Sequence, residues 1–204
     1  MTVFSFTEEQ RDCLQELINV AMGLASDKLA RFLSTLVHLQ VPAIHLVRAD
    51  QIPEQFRLQF PDRRAAMVSL GFFGDDGLRG ETILLYQLDN SQKIAALLGY
   101  QAEEMSEPEL LTDISSVLTT TFLNGLAEQL NNNFSYAAPR IVSSGDANFA
   151  DKLAQTAFNW DLALKVDIRY QLTAHSFDCN MILLIPGEAV IKLQGMLDKI
   201  LADF

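Results

Sequence analysis

Long apolar runs are absent from this 204-residue sequence, because none reaches the roughly 18 residues that a transmembrane helix requires. The opening segment MTVFSFTEEQRD also lacks the basic stretch followed by an apolar run that marks a secretory signal. We therefore expect a cytoplasmic protein without a membrane partner.

Basic residues and cysteines are also scarce. The 15 Lys and Arg residues are outnumbered by 26 Asp and Glu residues, which gives a net charge of −11. Phosphate backbones would be repelled on average, so we do not expect nucleic acid as a partner. The two cysteines, Cys13 and Cys179, lack C-x-x-C spacing. We expect both to be reduced, buried or half-buried thiols in a reducing compartment.

Several familiar catalytic and binding motifs are missing. The sequence contains no G-x-x-x-x-G-K-[ST], G-x-G-x-x-G or G-x-S-x-G pattern. Its histidines lie far apart, within or beside predicted strands, and the GDDG segment at 74–77 lacks the further oxygen ligands of a calcium loop. We therefore predict no metal site and no intrinsic cofactor.

An amphipathic helix is predicted after Thr7, which can cap it, with acidic residues in its first turn. Its apolar side carries Leu14, Leu17, Ile18, Ala21, Leu24 and Ala25. Asp12, Glu16 and Asn19 have i, i+4, i+7 spacing and fall on the opposite side, within roughly 60° of one another. A break near Gly23 and a second helix over SDKLARFLSTL are expected next.

The sequence up to about residue 103 further predicts a strand and a hairpin. VHLQVPAIHLV (37–47) alternates like a strand, and Pro42 within it favours an edge position or a bulge. Residues 48–65 are polar and predict a loop. AMVSLGFF and GETILLYQL flank a turn containing DDG, which is typical of a β-hairpin. A short helix, SQKIAALLGY, is expected to follow a cap at Asp89 or Asn90.

The second half is predicted to repeat this order of elements. It offers a long helix over 108–132, a strand over 134–142 that contains Pro139, strands over 162–176 and 179–187, and a final helix over 188–204. ILLYQLDNSQKIAALL (83–98) and ILLIPGEAVIKLQGML (182–197) match best, with Lys93 and Lys192 at the same point. We predict a single domain over 1–204, in which two related halves, approximately 1–103 and 104–204, share one sheet.

The pattern Asp12-x3-Glu16-x2-Asn19, followed by Pro42 after 22 intervening residues, resembles the active site of the CheC/CheX/FliY phosphatases. These proteins dephosphorylate the chemotaxis response regulator CheY. The flanking text ELINVAMGLASDKLARFL is also similar, and the likeness is greatest to CheC and covers nearly the whole chain. It implies an α+β fold with a CheC-like pseudo-twofold repeat, in which a mainly antiparallel central sheet packs against long helices.

The resemblance also implies a role for each residue of the pattern. Asn19 would hold a water in line with the aspartyl phosphate of a CheY-like regulator, which brings its own Mg²⁺. Glu16 would pair with the active-site lysine of the regulator, and Asp12 would support docking. Gly23 is not part of that pattern but falls on the same side of the helix, where its missing side chain would let the partner's backbone approach closely or would simply end the helix. Pro42 would shape the strand near the site.

The second copy departs from this pattern. If Asp113 matches Asp12, then Val117 stands in place of Glu16 and Thr120 in place of Asn19. Valine has no charge and threonine has no carboxamide, so one active site is expected, in the N-terminal half. Asn124, at the place of Gly23, is not assigned a catalytic role.

The sequence leaves one alternative function, one further partner and the oligomeric state open. The chain could be a non-catalytic FliM-like module that binds a phosphorylated regulator or another flagellar or chemotaxis component. Its degenerate half could bind a CheD-like protein. The oligomeric state is undetermined, because CheX-type members dimerise through strands whereas a two-half chain can complete its sheet internally.

Overall fold

Three helices and seven strands are formed by the residues that the computed structural model describes, which are 5–34, 36–51, 54, 65–87, 106–144, 162–172 and 177–203. The helices are α1 (Glu8–Leu33), α2 (Glu107–Gln129) and α3 (Gly187–Ala202). The strands are β1 (His38–Arg48), β2 (Ala65–Gly74), β3 (Arg79–Gln87), β4 (Phe134–Tyr136), β5 (Arg140–Ser144), β6 (Leu162–Leu172) and β7 (Phe177–Pro186). A short 3-10 turn, Ala49–Gln51, follows β1.

The strands form one antiparallel sheet in the order β1-β6-β7-β3-β2-β4, and β5 also pairs with β2. β3 and β7 meet at the centre, with Ile83 opposite Ile182. The two segments that match best in the sequence begin at these same residues. β1 pairs with β6, and β4 and β5 pair with β2, so the first strands of each half join the other half. This order confirms the predicted fold class; the boundary between the halves lies outside the described residues.

The core lies between the three helices and one face of the sheet. Alternate residues of β2 are buried in the same apolar cluster as the helices, namely Ala66, Val68, Leu70 and Phe72. This spacing of two is the one expected of a strand that turns one face to a core. None of the described helices has the length and apolar character needed to cross a membrane.

Helix α1 is continuous, so the predicted break near Gly23 is wrong. A glycine inside a helix costs about 1 kcal/mol relative to alanine. The burial of Ala21, Met22, Ala25 and Leu29 continues the apolar stripe past this point and outweighs that cost. The assignment of Leu24 to the buried side is also wrong, because its side chain is 44% exposed.

The start of α1 is fixed by a capping box. The Thr7 hydroxyl accepts a hydrogen bond from the Gln10 backbone N–H at 3.1 Å, and the Gln10 side chain accepts one from the Thr7 N–H at 3.1 Å. This confirms the predicted cap. Gln10 also donates from Nε2 to Asp198 Oδ1 at 2.6 Å, which ties the first turn of α1 to α3.

The strand predictions are confirmed in most places. The β2–β3 hairpin turns at Gly77, whose φ of 80° suits glycine. Pro42 lies in an edge strand, and the register of that strand shifts between Gln40 and Ala43, so both predicted features occur together. The single strand predicted over 134–142 is two strands, with Pro139 between them. The short helix predicted over 91–100 lies outside the described residues.

Helices α1 and α2 cross closely at a glycine. A Cβ atom added at the buried Gly125 would lie 3.0 Å from Leu24 Cδ1 and 3.1 Å from the Ala21 Cα. Because the second neighbour is backbone, any side chain there would force α1 away from α2. The crossing therefore fixes how α1 sits on the molecule and which of its faces remains exposed.

We expect Gly125→Val to lower the free energy of unfolding by about 1–3 kcal/mol, because overpacking strains the helix crossing. Gly195→Val in α3 is the matched control, since a Cβ at Gly195 meets nothing within 4 Å. Urea denaturation of both variants would measure the difference. Equal stabilities would contradict a tight crossing at Gly125.

Candidate functional site

One face of α1 carries all four of the helical residues that the sequence singled out. Asp12, Glu16 and Gly23 are exposed and Asn19 is half-buried. Residues three or four positions apart are neighbours on a helix surface, with about 5–6 Å between their Cβ atoms. These four residues are called the α1 ridge below.

The polar side chains of the α1 ridge are not engaged with the rest of the chain. Within the part of the protein that the structure describes, Asp12, Glu16 and Asn19 make no side-chain hydrogen bond and no ion pair. By contrast, Asp27 on the same helix pairs with Arg31 at 3.0 Å. A carboxylate and a carboxamide are therefore available side by side on a fixed helix.

Gly23 has no internal packing reason to be glycine. It lies in the middle of α1, and a Cβ built there meets nothing within 4 Å. Its carbonyl accepts a hydrogen bond from the Ser26 hydroxyl at 3.1 Å, as any residue could. Because glycine has no side chain, nothing projects from the α1 ridge at this position, and the helix is less stable than it would be with alanine there.

Two large apolar side chains border the α1 ridge. Val20 is 37% exposed and Leu24 is 44% exposed, and they are one helical turn apart. Single exposed apolar residues are common on protein surfaces. Here, however, the two side chains stand next to Glu16, Asn19 and Gly23, so the polar face has an apolar margin.

A groove of about 630 Å³ opens beside the first half of the α1 ridge. It is lined by residues from α1, from the end of α2 and from the end of α3: Glu9, Asp12, Cys13, Glu16, Leu17, Val20, Gln129, Asn131, Ile200, Leu201 and Asp203. We call it the acidic groove, because all the charged residues in this lining are acidic. Of these lining residues, the sequence predicted only Asp12 and Glu16 as site residues.

Cys13 contributes a thiol to the acidic groove. It is half-buried, and this burial raises the pKa of its thiol above the ordinary value. The neutral thiol therefore dominates at neutral pH, and it behaves as a small apolar group. Cys179 is buried, so the predicted burial of both cysteines is confirmed.

Pro42 is placed by the structure in the edge strand β1, where the register is irregular. The described lining of the acidic groove does not include it. Its role in shaping the surroundings of the site therefore stays a prediction. The other four residues of the predicted site are brought together by α1 alone.

The matching face of α2 is chemically different. Thr120 donates its hydroxyl to the Ser116 carbonyl at 2.6 Å, and Ser116 donates its own to the Thr112 carbonyl at 2.8 Å. Val117 is half-buried and Asp113 is exposed. The hydroxyl groups of this face thus bond to their own helix, and it offers no carboxamide where α1 has Asn19.

Asn124, which matches Gly23, is also held by its own chain. The Tyr136 hydroxyl of β4 donates to Asn124 Oδ1. Partial burial raises the pKa of the Tyr136 hydroxyl, so it remains a protonated donor at neutral pH. Where α1 has Gly23 without a side chain, α2 therefore has Asn124, whose side chain is hydrogen-bonded to the sheet.

Comparison with solved structures places this arrangement on a known fold. FliY of Thermotoga maritima matches with a TM-score of 0.69 and 19% identity, covering 96% of this chain and 99% of that one. The FliM middle domain of H. pylori matches with a TM-score of 0.62 and 13% identity over 94% and 99% of the two chains. A CheC-like protein of Shewanella oneidensis matches with a TM-score of 0.51 and 14% identity over 82% and 97%.

No protein-family model and no curated protein matches the sequence. The structural likeness covers nearly the whole chain, and it includes both FliY and FliM proteins. The predicted preference for CheC among these relatives stays a prediction. The chain has the fold that is shared by FliY, the FliM middle domain and CheC-like chemotaxis proteins.

Proposed function

We propose that the protein accelerates hydrolysis of the aspartyl phosphate on a CheY-like response regulator, with one active site in its N-terminal half. The observation that carries this proposal is that Glu16 and Asn19 lie side by side on the outward face of α1. Neither side chain has a hydrogen-bond or ion-pair partner among the described residues. A pair of this kind can enter the phosphorylated pocket of another protein.

The reaction requires little covalent chemistry from the protein. A water oxygen attacks the phosphorus, the bond to the aspartate oxygen breaks with its electrons on the carboxylate, and inorganic phosphate leaves. Catalysis of phosphoryl transfer depends mainly on positioning and electrostatics. The carboxamide of Asn19 offers a donor and an acceptor in one plane, so it can hold this water without adding charge near the phosphoryl oxygens.

Glu16 lies almost one turn before Asn19 and carries the charge that Asn19 lacks. It would pair with the lysine of the regulator's active site, which fixes the position of α1 in the pocket. Mg²⁺ would come from the regulator, where it neutralises charge on the phosphoryl group. Asp12, a further turn back, would support docking from the acidic groove.

A non-catalytic role in a flagellar or chemotaxis assembly is the second candidate. The FliM middle domain shares the fold, and H. pylori FliM structures include complexes with FliG and with SpeE. The face of α2 with Val117 and Thr120 also lacks the phosphatase pattern. The carboxamide of Asn19 beside the exposed Glu16 favours the enzyme, since binding alone does not require a group that positions a water.

We expect Asn19→Ala to reduce the rate of regulator dephosphorylation about 100-fold, because the attacking water loses its position. Its free energy of unfolding should change by less than about 0.5 kcal/mol, as for other surface positions. The assay is release of phosphate from a receiver domain phosphorylated with acetyl phosphate. Thr120→Ala, at the matching position of α2, is the control and should keep the full rate.

Gly23→Ala should separate stability from docking. The free energy of unfolding should rise by about 0.5–1 kcal/mol, because alanine is the better helix former and the space is open. The KM for the phosphorylated receiver should nevertheless increase several-fold, since a Cβ now stands on the docking face. Gly195→Ala in α3 should give the same stability gain with an unchanged KM. An unchanged KM for Gly23→Ala would remove Gly23 from the site.

A further inference from the structure

We infer that the acidic groove selects which receiver is bound, and that its occupant is a receiver surface element with an apolar side chain flanked by Lys or Arg. The inference rests on the proposed function and extends it from the α1 ridge to the ends of α2 and α3. These two elements do not belong to the Asp12, Glu16 and Asn19 pattern.

The charge of the lining favours a basic occupant. Glu9, Asp12, Glu16 and Asp203 surround the groove, and its described lining contains no Lys or Arg. All four side chains are exposed at its rim. A cleft lined by charges of one sign raises the local concentration of oppositely charged groups and accelerates encounter with them.

The C-terminal end of α2 strengthens the same potential, and the end of α3 contributes less because Lys199 lies in its last turn. Gln129 and Asn131 lie at the C-terminal end of α2, and Leu201 and Asp203 lie at the C-terminal end of α3. Each helix C-terminus carries about half a negative charge, which favours cations. The last turn of α2 contains no basic side chain that would offset this charge. Cations on a partner are therefore attracted both by the carboxylates and by the backbone.

The floor of the acidic groove is apolar. Leu17 is buried at its base, Ile200 and Leu201 are half-buried, and Val20 is exposed at the border with the α1 ridge. The volume of about 630 Å³ falls within the range of about 300–1,000 Å³ that is typical of ligand pockets. The groove can thus accept an apolar side chain from a partner while its rim holds the neighbouring basic groups.

The walls of the acidic groove are held in place before any partner arrives. The hydrogen bond from Gln10 to Asp198 joins α1 to α3 at 2.6 Å. Asn131 adopts a left-handed conformation with a φ of 49°, and its N–H donates to the Glu128 carbonyl at 3.1 Å. A preformed groove needs less ordering on binding, so its shape can discriminate between receivers.

Two substitutions test the groove without touching Glu16 or Asn19. Leu201→Ser removes apolar surface from the floor, and Asp203→Lys reverses one rim charge at a helix end where lysine is well tolerated. Each should raise the KM for the phosphorylated receiver about tenfold with kcat nearly unchanged, as expected for loss of uniform binding. Dissociation constants for the same receiver loaded with beryllium fluoride, which mimics the phosphoryl group, should rise by the same factor.

The matched controls carry the same chemical changes elsewhere. Ile191→Ser removes an apolar side chain that is 53% exposed on another part of α3. Asp113→Lys reverses the exposed charge that matches Asp12 in the second half. Both should keep KM within about twofold, the small effect expected of surface substitutions outside an interface. Added salt should weaken binding by the wild type more steeply than binding by Asp203→Lys.

The outcomes separate this inference from the proposed function. If Leu201→Ser and Asp203→Lys match their controls while Asn19→Ala abolishes hydrolysis, the inference about the groove is overturned and the phosphatase stands. If both weaken binding of the loaded receiver but wild type does not speed hydrolysis, the groove stands and the phosphatase fails. If no receiver of the source organism binds, both are overturned.

Discussion

The packing of α1 against α2 and the sheet is the constraint on which the rest of the molecule depends. Its apolar stripe runs without interruption from Leu14 to Leu29 and is buried throughout. The close approach of Ala21 to Gly125 fixes the rotation of the helix about its own axis. Once that rotation is set, the opposite face must point outward, and the positions of Glu16 and Asn19 follow from helix geometry. The side chains of the candidate site thus need no loop to position them.

The sequence predicted this face well because one periodicity generates both sides of a helix. The spacing that buries Leu14 and Ile18 also exposes Asp12 and Glu16. It predicted the C-terminal end of α1 less well, because the burial that continues beyond Gly23 outweighs the local tendency of glycine to end a helix. The exposure of Leu24 could not be predicted either, since the burial of a helical-wheel position near the edge of the stripe depends on the neighbouring helix.

The acidic groove could not have been predicted from spacing. Glu9 and Asp203 lie at opposite ends of the sequence and meet only because α1 and α3 pack side by side. No periodicity relates residues on separate helices. The hydrogen bond between Gln10 and Asp198 could not be predicted from the sequence for the same reason. Pro42 shows the intermediate case: its edge position followed from its missing N–H, whereas its place relative to the site did not.

The exchange of strands between the halves has a consequence for how such a chain can diverge. β1 is hydrogen-bonded to β6, and β5 to β2, so neither half can be removed without leaving the sheet of the other incomplete. Selection for a complete sheet therefore acts on the strands of both halves. The outward faces of α1 and α2 contribute neither to the sheet nor to the core. A change from Asn to Thr there therefore breaks no hydrogen bond between strands and opens no cavity. In a fold of this type, the outward face of either helix can change at almost no thermodynamic penalty, while the half that carries it still supplies strands to the shared sheet.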